Sequence, residues 1–116
     1  MIKITTGKEN IYTIATDKLT DKDYDQLLPL LREKITIHKH INWLFQMKDF
    51  KGWSLSAFWR DVKFDIKNKE KFNKIAIVGH SDWQEVMTEL MKPFTNADIR
   101  YFKESHVSKA KNWIKE

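Results

Sequence analysis

The sequence predicts an α/β domain built on a five-stranded mixed, mainly parallel sheet with about four helices. Three observations carry that prediction. Segments of strand character alternate with segments of helical period along the chain. Two near-continuous apolar runs, Ile41 to Met47 and Ile75 to Val78, have the length and saturation of strands buried on both faces. An alternating pair of short runs at the start reads as a hairpin, which makes the sheet mixed rather than purely parallel.

In order, Ile2 and Ile4 alternate with polar neighbours, and so do Tyr12 and Ile14 against Ile11, Thr13 and Ala15, with turn residues between Gly7 and Asn10. Thr20 before Asp21 and Asp23 reads as an N-cap followed by acids at the positive end of a helix dipole. Tyr24, Leu27, Leu28, Leu31 and Ile35 make one apolar stripe, with Pro29 on the opposite side as a kink. After a loop at His38-Lys39-His40 comes the Ile41 to Met47 strand. The stretch Asp49-Phe50-Lys51-Gly52-Trp53-Ser54 reads as a glycine turn handing the strand to a helix from Ser54 to about Lys69. Such handovers are where open α/β sheets usually keep a ligand or partner surface.

The Ile75 to Val78 strand ends at Gly79. Ser81 and Gln84 have the form of a capping box, followed by Trp83, Val86, Met87, Leu90 and Met91 at helical period up to Pro93. Ile99 to Phe102 is the last strand, and Ser105 is expected to cap a final helix carrying Val107, Ala110, Trp113 and Ile114. Strand–helix alternation of this kind implies right-handed crossovers.

A chain of 116 residues fits one domain, 1–116. At this size roughly two-thirds of the unfolded surface can be buried without a covalent or metal staple. The absence of cysteine excludes thiolate catalysis, thiol redox switching and cysteine-bound zinc. No signal-peptide core and no spanning run of about 20 apolar residues is present, so a soluble, cytoplasmic protein is expected. Net charge is +5, from 21 basic and 16 acidic residues mixed along the chain, which suits an ordinary solvated surface or attraction to an anionic one.

Several of these motifs together carry a family likeness. Lys18-Leu19-Thr20 before the acidic cap, Asp49-Phe50-Lys51-Gly52-Trp53-Ser54, Ile75-Ala76-Ile77-Val78-Gly79 followed by Trp83, and Ile99-Arg100-Tyr101-Phe102 with Ala110 and Trp113 occur in order. In these the chain resembles the SpoIIAA-like proteins, a branch related to STAS domains. The resemblance implies a small SpoIIAA/STAS-like α/β sandwich. It also implies one of two roles: holding non-polar molecules, by a likeness to CRAL-TRIO-type lipid carriers, or binding partner proteins as STAS relatives do. Fold alone does not choose between them.

On the helix after Ser54, Leu55, Phe58, Trp59, Val62 and Ile66 fall in one band and are expected to face the core. Phe64 lies opposite, beside a basic flank of Arg60, Lys63 and Lys67, with Asp61 and Asp65 on the other flank. An aromatic edged by cations suits an anionic headgroup or membrane contact; the plainer alternative is Phe64 packed beneath a loop. Trp53 and Phe58 have the spacing of a hydrophobic staple, which is compatible with Trp53 also forming a pocket wall. Trp43, Phe45 and Met47 share one strand face, as sheet core or as the lining of a cavity.

Ser54 and Ser56 sit near where phosphoacceptor serines occur in the STAS anti-sigma-factor antagonists, but the Asp-Ser-Ser-Gly pattern of that group is replaced by Gly52-Trp53-Ser54. His38 and His40 lack companions for a metal shell. His80 and Ser81 lack a third catalytic member. Lys63, Lys67, Lys69, Lys71 and Lys74 are diluted by Asp61, Asp65 and Glu70, which disfavours nucleic acid.

The leading expectation is therefore a non-enzymatic binding module or carrier for a small non-polar or amphiphilic molecule. Trp43, Phe50, Trp53, Leu55, Phe58, Trp59 and Phe64 are its hydrophobic site, and Arg60, Lys63 and Lys67 its anionic-headgroup or transient membrane contact. No cofactor is expected. The alternative is a STAS-like interaction module with a homodimer or another protein as partner.

Overall fold

The computed structural model describes residues 1–80, 82–94 and 96–116, leaving aside the side chains of Trp83, Gln84, Met87, Leu90 and Phe94. The strands are β1 (Ile2–Gly7), β2 (Asn10–Leu19), β3 (Ile41–Trp53), β4 (Phe72–Gly79) and β5 (Asp98–Lys103). The helices are α1 (Asp21–Ile37), α2 (Leu55–Lys67), α3 (Asp82–Met91) and α4 (Val107–Lys115), with short 3-10 turns at Lys92–Phe94 and Glu104–His106. The expected Ser81–Gln84 capping box and the side chains of Trp83, Met87 and Leu90 lie outside the described residues. Among the described residues no helix is long and apolar enough to cross a membrane.

The sheet is mixed and runs in the order β1-β2-β3-β4-β5, with β1 antiparallel to β2 and every other pairing parallel. The strand order never reverses, so there is no topological switch point of the kind that opens a crevice in doubly wound sheets. Right-handed crossovers that all step the same way put α1, α2 and α3 on one face. Only α4, returning after β5, covers the other, where it packs on β3, β4 and β5.

Alternation along β3 divides the core accordingly. Trp43, Phe45 and Met47 point into the larger core with Ile11, Leu19, Leu27, Leu31 and Ile75, while Leu44 joins Ala76, Val78, Ala110, Trp113 and Ile114 on the α4 side. The α1 stripe is buried as expected through Tyr24, Leu27, Leu28 and Leu31, and Pro29 lies on its exposed side. Asp23 Oδ2 accepts from the Thr20 backbone N–H at 2.8 Å, closing the start of the helix.

Two local expectations are corrected. The Asp49 to Trp53 stretch is not a turn but a continuation of β3, paired with β2 through Asp17↔Phe50, Lys18↔Gly52 and Leu19↔Trp53. The register slips beside Asp17, and Asp17 and Asp49 both take left-handed backbone, φ 56° and 50°, conformations aspartate tolerates better than most residues. Gly52, at φ 108°, is the position in this extension that needs glycine. Finally, Ser105 lies within the 3-10 turn that precedes α4 instead of capping it.

Candidate functional site

Helix α2 sits in the opposite rotation from the one its apolar pattern predicts. Its sheet-facing residues are Ala57, Asp61, Phe64 and Asp65. Leu55 is 76 % exposed, Trp59 54 % and Ile66 49 %, and Phe58 and Val62 are half-buried. The band expected in the core is therefore the outer face, and the two acids expected on a flank are inside. The physical reason lies beneath the helix. The sheet face there already carries Trp43, Phe45, Phe50 and Trp53, so α2 approaches through the small Ala57 and the single ring of Phe64.

Both ends of α2 are fixed. Ser54 N–H donates to Leu19 O at 2.8 Å, and the Ser54 hydroxyl accepts from Ala57 N–H at 3.2 Å, as an N-cap should. The Trp53 and Phe58 rings meet edge to face with centroids 6.0 Å apart, the staple expected from their spacing. At the far end Asn68 N–H returns to Phe64 O and Lys71 N–H to Asn68 O, leading directly into β4. Along its side, Arg60 clasps α1, donating to Asp21 O at 3.0 Å, Asp21 Oδ1 at 3.2 Å and Asp25 Oδ1 at 2.9 Å. Ser56 also donates to Asp21. These hydrogen bonds, the one from Ser56 foremost, hold the Asp21 carboxyl below its ordinary pKa.

Beneath α2 lies a cavity of about 30 Å3, lined by Trp43, Phe45, Met47, Ile75, Ile77 and Ile99 from the sheet, Trp53, Asp61 and Asp65, and Thr88 and Met91 of α3. Two carboxyl groups in such a wall need partners. Trp53 Nε1–H donates to the Tyr24 hydroxyl at 2.9 Å, and that hydroxyl donates to Asp61 Oδ1 at 3.0 Å. Asp61 and Asp65 are hydrogen-bonded to each other. Burial pushes both carboxyls above the ordinary aspartate range, and Asp65 further because the charge of Asp61 lies beside it. The pair thus holds a proton more tightly than isolated aspartates do. Burial, with the Asp61 charge, likewise raises Tyr24 well above an ordinary phenol and keeps its hydroxyl a donor. Asp65 Oδ1 has no hydrogen-bond partner.

Of the seven residues expected to form a hydrophobic site, Trp43 and Trp53 line this cavity. Phe50 packs within the aromatic cluster behind it, 4.9 Å from Trp53 centroid to centroid. Leu55 and Trp59 face outward, and Phe58 sits at the helix edge. Phe64, expected on the non-core side, is buried with its ring 6.2 Å from that of Phe72. The basic flank does assemble: Arg60, Lys63 and Lys67 line a groove of about 300 Å3 together with Leu28, Arg32, Phe64 and Asn68. Arg60, however, is committed to α1, and on the helix Phe64 stands between this groove and the cavity.

Asp61, Asp65 and Tyr24 were not singled out as site residues by sequence reasoning. A signal was present. Like charges at i and i+4 destabilise a solvated helix, so the Asp61–Asp65 pair is out of place on an exposed flank.

The SpoIIAA-like family model matches residues 11–115, and the chain belongs to that family. Among solved structures it is similar to an uncharacterized protein of the DUF3478 family with a SpoIIAA-like fold, from Shewanella loihica PV-4. The two are 30 % identical with a TM-score of 0.81 over 98 % of this chain and 92 % of that one. Among curated proteins none matches the chain.

Proposed function

We propose that this protein is a non-enzymatic binding module for a small molecule with an apolar body, held between the β3–β5 face of the sheet and α2, with α2 as the moving cover. The observation that supports it is the pairing of an aromatic-lined cavity with a covering helix whose inner face is half polar and whose apolar stripe is unused. The cavity is small. A water needs about 10–15 Å3 of such volume and a benzene-sized guest about 150 Å3, so about 30 Å3 admits a polar head but no hydrocarbon body. Entry of a body therefore requires α2 to move. The half-buried edge of Phe58 and Val62, next to the acids on the helix, supplies apolar surface to close over a guest once it does. Apolar burial would provide affinity at about 25 cal/mol per Å2 before ordering costs. Lys63 and Lys67 beside the cover suit a transient approach to an anionic membrane surface.

The test is native mass spectrometry of freshly purified protein, with titration of the neutral apolar probe N-phenyl-1-naphthylamine. The proposal expects saturable probe binding that quenches indole fluorescence and is weakened severalfold by Trp53→Phe in a still-folded chain. Absence of both a bound molecule and saturable probe binding overturns it.

A second reading, a STAS-like interaction module, is favoured by the same outward stripe taken as a contact for another protein or a second copy. It predicts concentration-dependent sedimentation abolished by Trp59→Glu, with the probe left unbound.

A further inference from the structure

Resting on the reading of a ligand beneath α2, we infer that the ligand carries a protonated amine, held by Asp65 and Asp61 at the foot of an aromatic box. Three features of the cavity point to that chemistry. The first is the orphan acceptor. Asp65 is only 5 % exposed, lines the cavity, and leaves Oδ1 without a hydrogen-bond donor. A buried acceptor left so is expensive, and among the described residues it is the buried side-chain atom in that state. It calls for a donor from the occupant.

The second feature is charge. Two carboxyls that share one proton keep one negative charge, and the Tyr24 hydroxyl supports it by donating to Asp61 Oδ1 at 3.0 Å. A hydroxyl-bearing guest would satisfy Oδ1 and leave that charge uncompensated. An ammonium group satisfies Oδ1 and neutralises the pair together. A carboxylate guest would bring a second negative charge into the same dry space, which low-dielectric surroundings penalise strongly.

The third feature is the wall opposite. The indoles of Trp43 and Trp53 and the ring of Phe45 line the same space, and Phe45 and Trp53 lie nearly parallel, 15° apart with centroids separated by 6.3 Å. Aromatic faces attract a cation and repel an anion. The cavity of about 30 Å3 matches an ammonium head in size. The apolar body then lies along Met47, Ile75, Ile77 and Ile99 once α2 has moved. These neighbours are uncharged, so Asp61 and Asp65 dominate the electrostatics of the space.

The experiment compares 2-phenylethylamine, 2-phenylethanol and 3-phenylpropanoate as probes by calorimetry, with the Trp53 indole N–H resonance as a local reporter. Asp65→Asn, Asp61→Asn and the Asp61→Asn/Asp65→Asn double variant are run beside the native chain, each with a thermal melt to establish folding. The inference expects the amine to bind at least tenfold more tightly than the alcohol and the acid least of all. That preference should survive in each single variant, where one carboxylate remains, and vanish in the folded double variant while alcohol binding persists. Equal binding of the three probes, or a preference for the acid, overturns the amine assignment and leaves the wider binding reading standing. Amine preference retained in the folded double variant also overturns it. Failure of all three probes, with N-phenyl-1-naphthylamine also unbound, overturns both.

Discussion

Helices α4 and α2 are both clearly amphipathic, yet α4 turns Ala110, Trp113 and Ile114 into the sheet whereas α2 turns Leu55, Trp59 and Ile66 to solvent. The difference lies in what each helix meets. Under α4 the sheet offers Leu44, Ala76 and Val78, modest aliphatic side chains that leave room for an indole. Trp113 fills that room, flanked by Phe102 at 5.9 Å, by the Arg100 guanidinium 4.7 Å from its ring and by the Lys74 ammonium at 5.5 Å. Lys74 also donates to Trp113 O at 3.1 Å, tying the last turn of the helix down. Under α2 the sheet offers indoles and phenyl rings of its own, and a further large apolar layer does not fit. An amphipathic stripe thus says that a helix has a preferred side, but its neighbour decides whether that side is satisfied within the domain.

The contrast is sharpest for the two tryptophans. Trp113→Ala should cost about 3–5 kcal/mol, the range for emptying a large aromatic site, whereas Trp59→Ala should stay within about 0.5 kcal/mol. Urea unfolding of the two variants measures both. Equal losses would erase the distinction between the helices.

The inner face of α2 should behave unlike any apolar face. Asp61 and Asp65 bind their protons more tightly in the folded chain than in the unfolded one, where aspartate titrates near about 3.9. Between that value and the raised folded ones the native state holds the extra proton, so stability falls as pH rises through the window. Asp65→Asn removes the penalty. It should raise stability at pH 7.5, with the gain shrinking as pH falls toward the ordinary aspartate range. Denaturant midpoints across pH test this, and a loss of stability at pH 7.5 would contradict the buried, protonated pair.

Arg60→Ala should loosen α2 from α1 at a cost of about 0.5–1 kcal/mol, since the clasp is partly solvated. The cost should shrink with added salt, and probe exchange should quicken in stopped-flow measurements. The smallest effect belongs to Leu55→Ser, with Leu55 the most exposed member of the outer stripe. Stability should change by no more than about 0.5 kcal/mol, while binding of a surface-sensitive hydrophobic dye declines.

The sequence made the α/β order legible because β3 and β4 are saturated with apolar residues and α1 carries one clean stripe. The division of β3 into Trp43, Phe45 and Met47 against Leu44 followed from strand alternation alone, and the Trp53–Phe58 staple and the Ser54 cap followed from spacing. The rotation of α2 was not legible. Periodicity fixes an angle around a helix axis but carries no information on how full the opposing layer already is. The extension of β3 past Asp49 was hidden for a related reason: Gly52 reads as a turn unless the left-handed aspartates across the pair are known to accommodate a slip. The site suffered most. Its distinguishing chemistry is carried by two acids that local pattern assigns to water, and only the tertiary bond from Tyr24 brings them in.

The tethering of α2 at both ends limits the kind of motion open to it. A segment stitched to Leu19 at its start and running straight into β4 at its finish cannot swing out like a hinged door; it can only roll about its long axis. A roll leaves the outline of the molecule almost unchanged, so small-angle scattering should see nothing as a guest enters. A polarity-sensitive fluorophore at position 62, on the half-buried edge of the helix, should by contrast report the passage from water to oil.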